Sequence, residues 1–385
     1  MPRKICVVIT ARPSYSRIRT ALEAIRAHPD LELQLVIAAS ALLDRYGNAI
    51  NVIESEGFKV DRKVYMIVEG ENLVTSAKST GFGLAELSTV FDDLRPDAVI
   101  TIADRFETIA TAIAAAYMNI PLVHIQGGEV TGSIDEKVRH AVTKLADVHL
   151  VSSEHAATRV ISMGERPESV FVTGCPSIDL AREAREAEPR DIDALLKQYG
   201  GVGADVDVSN GYIVVMQHPV TTEFGLAQKH VLETLTAVRE GQFPTLWFWP
   251  NVDAGSDQTS KSIRAFREHH AMRNVHFYKN MKPLDFLSLL INSRGIVGNS
   301  SVAIRECAYL GVPAVNIGSR QSGRDRGRNV IDVDYDHAAI REAITTNFER
   351  TDRHSDLLYG DGTAGEQIAD VLAKAELTIE KRLTY

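Results

Sequence analysis

The chain has 385 residues, is 44% apolar and 24% charged, and carries a formal charge of −9. That length exceeds one ordinary core and predicts two domains of about 150–200 residues each. The negative balance speaks against a general nucleic-acid binder, which needs a basic face, and no apolar run reaches the ~18 residues of a membrane span.

Cys6, Cys175 and Cys307 stand far apart in apolar surroundings without CxxC spacing, the pattern of buried free thiols in a reducing compartment. The apolar run after Met1-Pro2-Arg3-Lys4 is too short for a signal-peptide core. A cytoplasmic protein without membrane partners is expected.

Residues 4–10 (KICVVIT) read as a first buried strand, broken by Ala11-Arg12-Pro13-Ser14. A helix then runs to about residue 27. A second strand spans 31–38, and a helix over 48–56 stops at Gly57. Residues 58–68 read as extended, and a long helix over 75–94 ends at Arg95-Pro96.

The strand 97–102 (DAVITI) opens into Ala103-Asp104-Arg105-Phe106-Glu107 and an alanine-rich helix to about 119. The apolar run 120–123 is the next strand. It feeds HIQGGEVTGSIDEKVRH (124–140), where paired glycines permit a sharp turn and Ser133-x-x-Glu136 is a capping box for a helix to about 146. Strands at 148–152 and 170–172 close the first series. Residues 176–211, charged, with glycine clusters and one helix at 190–199, mark the domain boundary.

A second series follows: strand 212–217, helix 227–239, strand 245–249, helix 260–270, strand 275–278 and helix 284–292. Strand 295–298, helix 302–310 and strand 314–317 continue it, and an amphipathic segment over 366–382 ends the chain. Such alternation means parallel, doubly wound sheets. Two similar α/β domains facing each other across a cleft are expected.

The chemistry is narrowed first by what is missing. No Gly-x-Gly-x-x-Gly follows the first strand, no Gly-x-x-x-x-Gly-Lys-Ser/Thr is present, and no His-Glu-x-x-His spacing suggests a metal. Neither a nicotinamide nor a metal cofactor is expected. Phosphate recognition then falls to helix N-termini and arginines. Asn299-Ser300-Ser301, between a strand and a helix, offers N–H groups and hydroxyls to an anion, although a plain N-cap explains it as well.

Four arginines between Arg320 and Arg328 suit a diphosphate clamp, with a solvated loop as the bland reading. Arg12 and Arg17 bracket the first strand–helix turn. Arg12 reads as a ligand contact, and Arg17 reads equally as half of a surface ion pair. Glu129, Asp135, Glu136, Arg139, His124 and His140 gather around one turn, and grouped carboxylates raise one another's pKa as acid–base work requires. Asp104 doubles as a helix N-cap candidate, and Glu136 as the capping-box residue. A lone histidine is more often structural, but His218, set before Pro219 at a strand end, reads as functional.

These segments together resemble the UDP-N-acetylglucosamine 2-epimerase family. Its hydrolysing sialic-acid branch and the relatives in legionaminic acid synthesis fit best. The carriers are ARPSYSR (11–17), ADRFE (103–107), the 124–140 stretch, TGCPSID (173–179), QHPVTTE (217–223), PNVDAGS (250–256), GNSSVAIRE (298–306) and GSRQSGRDRGRNVIDV (318–333).

The resemblance implies an α/β fold of the GT-B-like kind, with an N-terminal Rossmann-like domain over 1–178 and a nucleotide-binding one over 179–365. It also implies a last helix, about 366–385, packed back on the first domain. The implied ligand is a nucleotide sugar, and the implied assembly a homodimer or homotetramer.

The implied reaction needs no cofactor. Asp104, Glu129 and Asp135 are the expected proton-transfer set, with Glu136 in reserve and His218 stabilising the departing diphosphate. Arg12, Arg17, Ser300, Ser301 and Arg320 match phosphate-side or nucleotide-side positions, Glu306 the ribose contact, and Asn251 a further ligand position. Arg105, His124, Gln126, Arg139 and Asn299 complete the expected substrate contacts.

Two departures stand out: Gln126 where many relatives have glutamate, and Arg17 where many have lysine. The primary expectation is a hydrolysing UDP-N-acetylglucosamine 2-epimerase that releases UDP and N-acetylmannosamine. The alternatives are a UDP- or GDP-2,4-diacetamido-2,4,6-trideoxyglucose 2-epimerase and a GT-B glycosyltransferase.

Overall fold

Alternating side chains of a single strand feed two cores. Along β1 (Arg3–Ile9), Ile5, Val7 and Ile9 face one hydrophobic cluster while Cys6 and Val8 face another. A strand buried on both faces must lie inside a sheet covered by helices on each side. The computed structural model describes residues 1–43, 49–69, 73–102, 107–130, 135–250, 256–382 and 384. It divides into one unit of Met1–Glu129, Ile134–Asp179 and Gly360–Tyr385 and a second of Val130–Ser133 and Leu180–Tyr359.

The first sheet adds β2 (Leu31–Ala38), β3 (Arg62–Val64), β4 (Ala98–Ile102), β5 (Leu122–Ile125), β6 (Val148–Val151) and β7 (Val170–Val172). All pair in parallel, in the order β3-β2-β1-β4-β5-β6-β7. The helices along this part of the chain are α1 (Arg12–Ser16), α2 (Arg19–Ala27), α3 (Ala49–Ser55), α4 (Leu73–Leu94), α5 (Thr108–Tyr117), α6 (Asp135–Leu145), α7 (Glu154–Ser162) and α8 (Pro176–Glu186).

The second sheet contains β8 (Val202–Gly203), β9 (Ile213–Met216), β10 (Thr245–Phe248), β11 (Val275–Tyr278), β12 (Gly295–Gly298), β13 (Ala314–Ile317) and β14 (Val330–Val333). Their order is β14-β13-β12-β9-β10-β11-β8, parallel except for the antiparallel edge strand β8. Here α9 (Ile192–Tyr199), α10 (Ala227–Gly241), α11 (Ser256–His269), α12 (Pro283–Asn292), α13 (Glu306–Leu310) and α14 (His337–Glu349) follow in turn. The two-core rule repeats, with Val214 in one cluster and Ile213 and Val215 in the other.

The last helix, α15 (Ala364–Lys374), belongs to the first unit, where Ile368, Ala369 and Leu372 enter the core beside Leu22 and Ile25 of α2. Burying Ile368 and Leu372 contributes about 2 kcal/mol each. Gly365 allows this approach, since a Cβ there would stand 2.7 Å from the Thr20 carbonyl carbon. Asp179 accepts from the N–H groups of Ala364 at 2.9 Å and Gly365 at 2.7 Å, which secures the helix start. Beyond it, Lys381 donates to Glu165 at 2.5 Å, where Lys144 (2.5 Å) and His149 (3.1 Å) also converge. Burial alone would raise the Glu165 carboxyl, but these three partners hold it down to about 2.

Several elements differ from expectation. The helix expected to run to residue 27 breaks at Ile18, which leaves the helical region at φ −127°, so α1 and α2 are separate. The strand expected at 120–123 begins at Leu122, because Asn119 turns left-handed at φ 54° ahead of Pro121. Of the extended stretch 58–68, only β3 joins the sheet. The region 176–211 holds α8 as well as α9, with Pro176 as the first residue of α8. The helix expected over 302–310 is a 3-10 turn at Ser301–Ala303 followed by the five-residue α13.

Candidate active site

In a doubly wound sheet the chain turns back on itself at one point, and the loops leaving the two flanking strands splay apart there. In the first sheet that point lies between β1 and β4, and in the second between β9 and β12. The residues just past those four strands are Thr10 to Arg12, the 103–107 segment, Gln217-His218 and Asn299-Ser300. Most of the candidates sit there or on the next strand outward.

In the first unit, Arg12 starts α1 and is half-buried, and burial lowers its pKa from the ordinary guanidinium range. A guanidinium stripped of part of its water gains from an anionic partner. Arg17 caps the same short helix, its N–H reaching the Pro13 and Tyr15 carbonyls. At the end of β5, Gln126 is buried with φ 65°, and its Nε2 donates to Cys175 Sγ at 3.0 Å. The thiol in turn lies 3.1 Å from Ser177 Oγ. A neutral amide suits this place, since a carboxylate would press negative charge on a buried thiol.

The paired glycines serve packing. Gly128, at φ 73°, leaves no room for a side chain, because a Cβ would lie 2.3 Å from the Ala156 carbonyl oxygen of α7. That tight turn delivers Glu129, which is 5% exposed and accepts from Ser152 Oγ at 2.7 Å. Arg139 Nη1 donates to the Glu129 main-chain carbonyl at 3.0 Å, so the residue is held at its backbone as well. Glu136 pairs with His140 at 3.2 Å along α6, and His124 is fully buried against Thr143 Oγ1 at 3.1 Å.

In the second unit the candidates interlock. Asn299 is fully buried; its Oδ1 accepts from the His218 N–H at 2.7 Å and its Nδ2 donates to the His218 carbonyl at 2.8 Å. The Asn299 main-chain carbonyl accepts from Arg320 Nη1 at 3.0 Å and Gln321 Nε2 at 2.9 Å. Ser300 caps the 3-10 turn, and Arg305 Nη2 donates to Ser301 Oγ at 3.2 Å. Glu306 is 8% exposed, and its Oε2 has no hydrogen-bond partner among the described residues. A buried carboxylate oxygen left so calls for a donor.

The breakdown of the expected helix changes the phosphate argument. A five-residue α13 carries little macrodipole, so anion binding here would rest on hydroxyls and arginines. Among the described residues no cluster of three or more His, Cys, Asp or Glu side chains is arranged to hold a metal, and no helix is long and apolar enough to cross a membrane.

Asp104, Arg105 and Asn251 lie outside the described residues. Asp135 begins α6, with its side chain outside the description. Sequence reasoning missed Ser152, Arg305, Gln321 and Cys175 as partners of the candidate residues. Ser152 was the most findable, as the first hydroxyl after an apolar strand.

Known proteins resemble this chain in sequence and in fold. The sequence model of the UDP-N-acetylglucosamine 2-epimerase family matches residues 23–373. A Legionella pneumophila protein named UDP-N,N'-diacetylbacillosamine 2-epimerase (hydrolyzing) is 31% identical over 372 residues, 97% of this chain and 96% of the relative. A UDP-N-acetylglucosamine 2-epimerase of Neisseria meningitidis serogroup B is 28% identical over 381 residues, 98% of this chain and 96% of that protein. The crystal structure of UDP-GlcNAc 2-epimerase from Neisseria meningitidis bound to UDP-GlcNAc shares the fold, with a TM-score of 0.80 at 20% identity, covering 96% of this chain and all (100%) of that one.

Proposed function

The chain is a member of the UDP-N-acetylglucosamine 2-epimerase family, and from that membership we propose that it is a hydrolysing 2-epimerase of a UDP-linked 2-acetamido sugar. UDP-N-acetylglucosamine is the first substrate to consider.

A carboxylate removes the proton at C2 while the C1–O bond to the diphosphate breaks. The electron pair of the C2–H bond becomes the C1–C2 double bond of a glycal, and the diphosphate departs with the C1–O pair. The oxygen of a water then adds to C1, and C2 takes a proton on the opposite face. UDP and the free 2-epimer are the products.

Glu129, Asp104 and Asp135 form the proton-transfer set of the proposal, with Glu136 in reserve. The departing charge is met by His218, Arg12, Arg17, Arg320 and the hydroxyls of Ser300 and Ser301. The observation that carries the reading is Glu306: a buried carboxylate with an idle oxygen, six residues past Ser300, suits the paired hydroxyls of a ribose.

The Legionella relative's name favours a second reading, UDP-N,N'-diacetylbacillosamine as substrate. Incubation with each nucleotide sugar, followed by chromatography of nucleotide and sugar, separates these cases. Free UDP with a free 2-epimer is expected. An epimer still linked to UDP would remove the hydrolytic step from the proposal.

A further inference from the structure

We propose that Asn299 is a positioning residue: its side-chain amide replaces a missing rung of the second sheet and so fixes His218 and Arg320 together. The functional consequence rests on the reading above; the positioning itself does not.

β12 and β9 pair in parallel up to Gly298 opposite Met216, and the Asn299 N–H continues the ladder to the Met216 carbonyl at 3.2 Å. The next rung would require the Asn299 carbonyl to accept from the His218 N–H. Here the chain turns away instead. The side-chain Oδ1 accepts that N–H at 2.7 Å, and Nδ2 donates to the same residue's carbonyl at 2.8 Å. The main-chain carbonyl, released from the ladder, takes donors from Arg320 and Gln321.

Gly298 makes the approach possible. It sits at φ 133°, and a Cβ there would meet the Met216 carbonyl oxygen at 2.1 Å. Both polar ends of this fully buried amide engage the backbone of His218, with the Tyr335 hydroxyl beside them, which moves Asn299 from ligand contact to support. No other side chain of this size offers both a donor and an acceptor: aspartate lacks the donor, and serine is too short to span both groups.

The test compares wild type with Asn299→Asp and Asn299→Ser. Hydrogen exchange of the His218 amide, followed by NMR, needs no substrate. About tenfold faster exchange is expected in Asn299→Ser, which is too short to reach the His218 N–H, and little change in Asn299→Asp, which keeps that acceptor and loses only the donor to the His218 carbonyl. With the turned-over nucleotide sugar, kcat should fall more than KM rises. Asn299→Asp should add an alkaline loss of about tenfold per pH unit, absent in wild type, because its ionised carboxylate faces the His218 carbonyl while the protonated form restores the donor.

Unchanged His218 exchange in Asn299→Ser overturns the proposal. So do kcat profiles parallel to wild type with only a lower Tm, which would mark Asn299 as ordinary core. If the wild type itself turns over no nucleotide sugar, the functional reading fails alone, and the exchange measurement still decides the positioning.

Discussion

The two units present their candidate residues in opposite ways. In the second, Asn299 links the His218 loop, through its side-chain amide, to the Arg320 turn, through its main-chain carbonyl, so several groups share a single support. In the first, three candidate side chains lean on separate neighbours, Glu129 on Ser152, Gln126 on Cys175 and His124 on Thr143, while Arg139 holds the Glu129 main-chain carbonyl. The buried carboxylates differ in the same sense. Glu129 already accepts a short hydrogen bond, whereas Glu306 keeps an oxygen unmatched among the described residues. A carboxylate with idle acceptor capacity is built to receive donors. One held by a hydroxyl at a tight turn is fixed in place.

The contrast breaks most severely at Gly298. Alanine there combines a left-handed φ with a clash against a main-chain oxygen, a cost of about 3 kcal/mol or more. Thermal melts should show a lower Tm and a second unit that no longer binds UDP. A Gly298→Ala protein of normal Tm would mean that the strand end can shift and that the shared support is not rigid.

Glu129→Gln keeps the shape and the Ser152 bond but removes the proposed base. Turnover should drop by about 10²–10⁴-fold, with UDP affinity by calorimetry unchanged. A loss of UDP affinity instead would place this residue on the nucleotide.

Glu306→Gln should do the reverse. It should weaken UDP binding by roughly 10–100-fold, the range of a lost charge-assisted hydrogen bond, and leave the C2 step in saturated enzyme within about threefold. Equal losses in both measurements would erase the division of labour.

The smallest effect on turnover belongs to Glu165, which lies with the C-terminal segment. Its carboxyl titrates at about 2 in the folded chain against an ordinary 4.5. As the pH falls below 4.5 the unfolded chain takes up a proton that the folded chain refuses. The stability it contributes is therefore complete above 4.5 and lost toward pH 2. Denaturant melts between pH 5 and pH 3 should steepen in wild type and flatten in Glu165→Gln, with kcat near neutrality little changed. An identical acid slope in both proteins would show that Lys144, Lys381 and His149 do not hold the charge.

Much of this layout is legible in the sequence because parallel strands buried on both faces read as short apolar runs, and residues following such runs lie at strand ends. Arg12, Glu129, His218 and Asn299 were all reached in that way. What the sequence hides is which side chain meets which. Asn299 and His218 are 81 positions apart, and nothing local distinguishes an amide that binds a ligand from one that completes a sheet. Helix α8 was masked by its charges, since PSIDLAREARE looks like a solvated connection unless Pro176 is taken as a helix start. The split before α13 was masked in turn by VAIRECAYL, whose apolar residues suit an unbroken helix although the chain forms a 3-10 turn over Ser301–Ala303 before α13 begins at Glu306.

The most direct test of the central claim is proton NMR of the purified protein with the nucleotide sugar in D2O. Free 2-epimer carrying deuterium at C2, with UDP released in equal amount, is the predicted result. Product that retains protium at C2 would contradict the proposed C2 proton transfer, and no turnover of either nucleotide sugar would contradict the assigned chemistry altogether.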